Sequence, residues 1–467
     1  MNSGSLRHSA ARIAPLAWPV FVGQLSVLAF STVDTVLVAR YSAIDLAALA
    51  VGAAAYVTVF IGFMGVVLAI SPIVGQLYGA GDRVQAGRQV HQAVWVALAL
   101  ALIGSLVLTY PQAFLALSRA SPEVAERVRG YLLALAFSLP ASLLFTVYRG
   151  FNVAVSRPKA VMALQLGGLA LKIPLSAALV WGLPAIGLPA MGVVGCGIAT
   201  ALAMWAQVLA AAWVLRRDNF YAPYRILGRG LDAPDRRALG SQLKLGIPMG
   251  FAILIEVTSF SFMAIFIARL GTTPVAGHQI TANLTALLFM MPLAIGNATS
   301  TLVAQRIGAR DLGDAQRLGW HGIQIGIVVA TLMGLAVLIG REELVSLYTH
   351  DAAVQAAALP LLAWLALFHV ADAVQAIAAF VLRAYRVAKA PLLILAGALW
   401  IVGLGGGYLL AFDSLGSTPT GLQGARGFWI AATAGLVLAA VALCSFLAWM
   451  QRRQAFELPA ASPATPH

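Results

Sequence analysis

A chain of 467 residues with 61% hydrophobic and only 10% charged side chains, and a mean hydropathy of +0.88, lies outside the range of water-soluble domains and excludes a soluble enzyme. The formal net charge of +13 comes in short basic groups between apolar stretches, with no basic stripe interleaved with aromatics, so nucleic acid is excluded as the partner. The two cysteines, Cys196 and Cys444, fall in apolar stretches and suit packing better than a disulfide framework or a metal cluster.

In chain order, twelve apolar stretches of about 20 residues are predicted to cross a hydrocarbon core of roughly 30 Å as helices. Their centres lie near Ser26, Gly62, Ala101, Leu139, Lys172, Ala203, Ser259, Leu288, Ala330, Ala371, Ile401 and Val437. The first runs to about Ala39, too long for a secretory apolar region, and is expected to persist as an uncleaved helix. The longest connection sets six spans against six. The expected division is an amino-terminal lobe of residues 1–215, an inter-lobe loop of residues 216–242, a carboxy-terminal lobe of residues 243–451 and a disordered tail of residues 452–467, rich in proline. Bases crowd the connections on the side of the termini: Arg83 and Arg88, Arg157 and Lys159, the run from Arg216 to Lys244, Arg306 to Arg317, and Arg386 with Lys389. The opposite loops carry fewer, so the positive-inside rule puts both termini in the cytoplasm.

The halves superpose in sequence at a constant offset. Ala39-Arg40 falls on Ala268-Arg269, Pro19 on Pro248, Gln76 on Gln305, Gly79-Ala80 on Gly308-Ala309, Asp82 on Asp311, Ala86 on Ala315 and Arg88 on Arg317. A duplication is implied, and an even number of spans in each half makes the repeats parallel, two lobes about an axis along the membrane normal. Pro19 and Pro248 are either bend points within their spans or residues near inner helix starts, where proline is tolerated.

Three of the seventeen acidic residues fall inside spans: Asp34 in the first, Glu256 in the seventh and Asp372 in the tenth. For each alone, a buried structural group bonded to a neighbouring helix is the lesser reading. Three of them spread over both halves point to function, because a charge at the bilayer centre costs about 2.5–3.5 kcal/mol on insertion scales. Asp34 is expected to share a polar stripe with Gln24 and Ser31, and Asp372 to be flanked by His369 and Gln375. A carboxylate in such surroundings is poised between holding a proton or sodium ion and holding a cationic substrate. Lys172 lies midway along the fifth span, too far from either end to snorkel, and an ion pair with Asp34 is expected. His278, beside the outer end of the eighth span, reads first as a packing histidine and second as a proton relay. Arg149 and Arg383 read as charge anchors just past inner helix ends. Gly75 to Gly81 is glycine-rich but lacks a preceding strand and a lysine-hydroxyl pair, so phosphate binding is not expected there.

Several motifs together resemble a known family: Val33-Asp34-Thr35, Asp45-Leu-Ala-Ala-Leu-Ala50, Gln76-Leu-Tyr-Gly-Ala-Gly81, Gly192-Val-Val-Gly-Cys-Gly-Ile-Ala-Thr200, Lys244-Leu-Gly-Ile-Pro248, Ala276-Gly-His-Gln-Ile280 and Ala371-Asp-Ala-Val-Gln375. Over nearly its whole length the chain resembles the MATE multidrug and toxic compound extrusion family, in its NorM-like branch. The resemblance implies an all-α, twelve-helix, two-lobed fold with pseudo-two-fold symmetry and alternating access. Asp34 would match the family's amino-lobe acid, and Glu256 and Asp372 its carboxy-lobe cation site, open to Na+. Supporting positions would be Lys172, Gln24, Ser31, Ser176, Thr200, His278, Gln279, Asn283, Phe368 and Gln375. The chain departs from the family pattern at Lys172-Ile-Pro-Leu-Ser176, where many relatives carry asparagines, and at Phe368, where sodium-coupled relatives can offer a tyrosine.

The expected protein is a secondary transporter and not an enzyme. It would export lipophilic cations in antiport with H+ or Na+ across a bacterial inner membrane, act as a monomer and need no cofactor beyond the coupling ion. A flippase for lipid-linked intermediates shares the superfamily's fold and is the alternative; it would be expected to line its cavity with arginines. A sensor or scaffold would be expected to carry a soluble domain, for which the inter-lobe loop and the tail are too short.

Overall fold

The computed structural model describes residues 5–457 except residues 119–120, 185–186, 229 and 415, with residues 117 and 454–457 described by backbone alone. In chain order the helices are α1 (Leu6–Ala39), α2 (Ala43–Val67), α3 (Ile70–Gly79), α4 (Arg83–Thr109), α5 (Gln112–Ser118), α6 (Pro122–Ala154), α7 (Pro158–Trp181) and α8 (Gly192–Arg217). The second half comprises α9 (Arg236–Ala268), α10 (Thr272–Gly308), α11 (Leu312–Ile339), α12 (Arg341–Tyr348), α13 (Ala352–Ala384), α14 (Lys389–Leu395), α15 (Gly406–Ala411) and α16 (Gly424–Glu457). Among the described residues 12 helical stretches are long and apolar enough to cross a membrane, and every predicted centre lies in its own stretch.

The sequence repeat is also a repeat of structure. α1 and α9 end at the matched Ala39 and Ala268, and α2 with α3 covers the same 37 residues as α10. Asp82 and Asp311 cap α4 and α11, each carboxylate accepting a backbone N–H three residues on. The turns before them pass through left-handed positions at Gly81 (φ 79°) and Arg310 (φ 61°). Glycine takes that conformation freely; at Arg310 the second copy keeps it despite the cost to a side chain.

Several boundaries differ from the sequence reading. α9 begins at Arg236, within the expected loop, because Asp235 caps it, and α16 runs to Glu457, into the expected tail; residues 458–467 lie outside the described residues. Pro19 and Pro248 lie well inside α1 and α9, not at helix starts. The second span breaks after Val67 and resumes at Ile70, and the eleventh runs from α14 into α15 through a π-helical stretch, Ala396–Gly405. Arg149 and Arg383 lie within α6 and α13 rather than beyond them.

The inter-lobe loop is fastened to the first half. The His91 ring bonds the Ile226 carbonyl at 2.8 Å, Gln92 bonds Asp235 and Ala233, and Tyr221 donates to Asn152 at 2.6 Å. Asp218 is held below the usual carboxylate range by the Phe220 backbone N–H first and the Arg157 guanidinium second. Its contribution to stability is therefore present above the ordinary aspartate range and is lost only as pH falls through its lowered value. Asp218→Asn is expected to speed proteolysis between Asn219 and Asp235 at pH 7, and the difference from wild type to shrink under strong acid.

Two apolar cores occupy the halves, one built from residues between Val38 and Ile226 and one from residues between Ala252 and Ala439. The halves meet at the end that carries the termini. Ile13 and Ala17 of α1 pack with Ala294, Leu318, Ile377 and Leu443, while Ala69 and Ile73 pack with Leu245, Met249 and Ala388. Arg12 pairs with Asp314 at 2.8 Å and Ser9 with His321 at 2.7 Å. α3 crosses α10 so closely that a Cβ on Gly79 would overlap the Gln305 carbonyl and one on Gly308 the Gln76 carbonyl. Among the described residues, the hydrogen bonds and ion pairs between the halves all lie at this end. Gly79→Val and Gly308→Val should therefore each disfavour closure there. Overpacking of this kind costs about 1–3 kcal/mol, roughly five- to 150-fold in the closed population. Disulfide trapping between cysteines placed across the junction reads that population.

Candidate functional site

The first half holds a buried ion pair. Asp34 of α1 is 6% exposed and Lys172 of α7 is 1% exposed; the ammonium donates to the Asp34 carboxylate at 2.6 Å and to Thr200 of α8 at 2.9 Å. It also lies 4.6 Å from the centre of the Phe30 ring, a cation–π contact. The expected pairing is thus present, with Thr200 joining it. The site is not saturated: Asp34 Oδ1 and the Ser176 hydroxyl, one turn beyond Lys172, are buried without partners. The expected stripe through Gln24 and Ser31 does not form as one face. Ser31 is exposed and bonds its own Leu28 carbonyl at 2.9 Å, and Gln24 is half-buried. Three residues on a helix differ by about 60° in direction, enough to put one side chain inside and the other out.

The second half brings together two acids. Glu256 of α9 and Asp372 of α13 each stand one turn from a ring of the Phe260–Phe368 contact, 6.2 Å between centres, and Arg383 lies further along α13. Among the described residues no protein donor bonds either carboxylate. Arg383 is 9% exposed and its guanidinium lies 4.6 Å from the centre of the Phe380 ring. Around Asp372 the polar inventory is open: His369 is 0% exposed with neither ring nitrogen bonded, and the Gln375 side-chain oxygen is buried without a donor. Buried polar groups are normally paired, so such a concentration marks a place for water, a proton or a cation. The two carboxylates supply the hard oxygen ligands that Na+ would need. Among the described residues no group of three or more His, Cys, Asp or Glu side chains gathers as a metal site.

An aromatic wall stands beside these acids. Phe368 packs on Trp429 at 5.2 Å between ring centres and on Phe260 at 6.2 Å, and Trp429 donates to His278 Nδ1 at 3.2 Å. His278 Nε2 is buried without a partner. Gln279 and Asn283, four residues apart on α10, are exposed and do not join the buried His278 face. The π-helical stretch flanks Glu256 on both sides: Ser259 donates to the Leu399 carbonyl and Trp400 to the Ile255 carbonyl, each at 3.2 Å. π-segments recur at functional sites because the wider turn redirects backbone and side chains.

Sequence reasoning missed that Arg383 lies inside a span, against the Phe380 ring, although a lone arginine so close to an apolar run was the available signal. It also left Asp45 outside the spans. That acid is 1% exposed in the first turn of α2 and pairs with Arg127 at 2.6 Å.

Duplicated six-span halves, joined at one end and each carrying a buried acidic site, define a two-lobed integral membrane protein of the transporter class. Residues 19–178 and 248–409 match the MatE family, and the chain belongs to that family. It is 41% identical over 446 residues to "Probable multidrug resistance protein NorM" of Aromatoleum aromaticum, covering 95% of each chain. It is 34% identical to "Multidrug resistance protein NorM" of Aliivibrio fischeri, covering 94% of this chain and 95% of that one. Among solved structures, the eukaryotic MATE transporter AtDTX14 shares the fold with a TM-score of 0.84 at 21% identity, covering 97% of this chain and 99% of its own. A multidrug resistance MATE family transporter solved in an outward-facing conformation gives 0.83 at 18% identity, covering 98% and 99%. The fold is the MATE fold.

Proposed function

We propose that the protein is a multidrug efflux antiporter that carries lipophilic cations out across a bacterial inner membrane in exchange for H+ or Na+. The observation that carries this reading is the Glu256 and Asp372 pair: two neighbouring carboxylates, inside spans, bonded by no protein donor among the described residues. Two neighbouring acids in a low-dielectric setting repel, and a cation or a proton relieves that repulsion. Substrate and coupling ion then compete for the same charge. The names of the relatives, multidrug resistance proteins, support drug-like cargo. Basic residues concentrated at the joined end support a cytoplasmic position for it and for the termini, so the junction closes the inner side.

In this cycle the lobes part on the inner side and a lipophilic cation enters, held by an acid and by apolar contact with the aromatic wall. Rocking opens the outer side. Coupling ions then occupy Glu256 and Asp372, the substrate leaves, and the lobes return. Asp34 already has a protein-borne cation in Lys172, so its natural competitor is a proton or the substrate itself rather than a bound metal ion. A monomer contains both sites and suffices. The lobes are the rigid units, taken as residues 1–215 with the inter-lobe loop fastened to them, and residues 243–451.

Equilibrium binding of a fluorescent lipophilic cation to purified protein tests the site. Binding is expected, with displacement by acid or by Na+ and a drop of about tenfold or more in affinity for Asp372→Asn. Failure to bind the cation, together with binding of a lipid-linked diphosphate, would replace this reading with the flippase.

A further inference from the structure

We propose that Gln76 and Gln305 form a reciprocal latch that holds the lobes shut at the end carrying the termini, each glutamine capping a helix of the opposite lobe. Gln76 of α3 donates its amide to the carbonyl of Ala384, the last residue of α13, at 2.8 Å. Gln305 of α10 donates to the carbonyl of Ala154, the last residue of α6, at 2.7 Å, and to the Ser156 hydroxyl at 2.8 Å. The two glutamines are matched positions of the repeat, and so is the setting of their acceptors. α6 and α13 both end in a turn with a left-handed residue two places further on, Ser156 (φ 61°) and Arg386 (φ 59°).

The same residues form the crossing itself. The glutamine carbonyls are the atoms that a Cβ on the opposing glycine would strike, Gln305 against Gly79 and Gln76 against Gly308, and Gly75 adds a contact that would be 2.9 Å from the Ala304 Cβ. Glycines bring the two backbones together, and the glutamine side chains then reach past the crossing to the far helix.

The choice of acceptor makes the latch reversible. The last carbonyls of a helix have no partner within it. In the closed state the glutamine supplies one; with the lobes parted, water supplies it equally well. A hydrogen bond traded for water is worth a small net amount, corresponding to roughly two- to tenfold in population per bond. Two such bonds bias closure without locking it, whereas a buried ion pair at the crossing would leave charges to be resolvated at every cycle. Gln305 has two acceptors and Gln76 one, so the Gln305 half is the stronger.

The inference rests on the two-lobed alternating-access reading but not on any substrate. Its test uses the full chain with Cys444→Ala, spin-labelled at V84C and G313C, exposed and matched positions in opposite lobes. Pulsed-dipolar distances across the inner end are the readout. Wild type is expected to be mainly short. Gln76→Glu and Gln305→Glu keep the side-chain shape but, ionised, offer an acceptor to a carbonyl; both should lengthen the distance, Gln305→Glu more, and acidification should restore the short distance by returning a donor. Gln76→Ala with Gln305→Ala should enlarge the open fraction by about five- to a hundredfold, without recovery in acid. Folding of each variant is checked by monodisperse elution, and the conservative Gln→Glu changes keep the test usable if the alanine pair fails to fold. Wild-type distances in folded Gln→Glu variants at neutral pH, or lengthening that acid does not reverse, would overturn the latch.

Discussion

Glu256→Gln and Asp372→Asn are each expected to lower gradient-driven efflux by at least about tenfold, the factor that about 1.4 kcal/mol of altered ion binding commands, while leaving the protein folded. The physical ground is the poverty of their bonding. Neither carboxylate takes a hydrogen bond from a described residue, so an amide in its place breaks no existing hydrogen bond. The amide also removes one of the two like charges. What disappears is the capacity to alternate between a proton or Na+ and a cationic substrate. The measurement is efflux of a fluorescent lipophilic cation from vesicles at matched protein levels, with thermal unfolding of the same preparations. Near-wild-type efflux in both variants would remove the pair from the transport cycle.

Lys172→Met is expected to behave in the opposite way and to lose stability first. It leaves the Asp34 carboxylate 6% exposed, with its strongest partner gone. Breaking a buried pair from one side costs about 3–5 kcal/mol, because the surviving charge must be accommodated unpaired. Asp34→Asn in the Lys172→Met background removes that charge and should recover most of the lost stability. Transport should stay low, since the recovered fold lacks the amino-lobe acid. Unfolding temperatures in detergent for the two single variants and the double one form a complete cycle. Additive losses would mean that the pair contributes no coupling, despite its 2.6 Å geometry.

Most of the architecture was legible because hydropathy over about 20 residues is a strong signal when the solvent is lipid. The duplication was legible too: the matched Asp82 and Asp311 cap helices in both halves, and the matched Gln76 and Gln305 lie in corresponding helices. The Asp34 and Lys172 pair followed from the expense of two opposite charges in neighbouring spans. What stayed hidden depends on packing between elements. The break between Val67 and Ile70 and the π-helical stretch at Ala396–Gly405 lie in runs as apolar as any other, so hydropathy does not mark them. Ser31 turned outward because burying Asp34 takes a narrower stripe than the helix offers. Arg383 was misplaced by a helix that runs further than the apolar run did.

The most direct test of cation antiport is efflux of a lipophilic cation from proteoliposomes under an imposed proton gradient and, separately, an imposed sodium gradient. The account predicts that at least one gradient drives efflux in wild type and that Asp372→Asn abolishes the response. Silence under both gradients, with the protein folded and inserted, would contradict it.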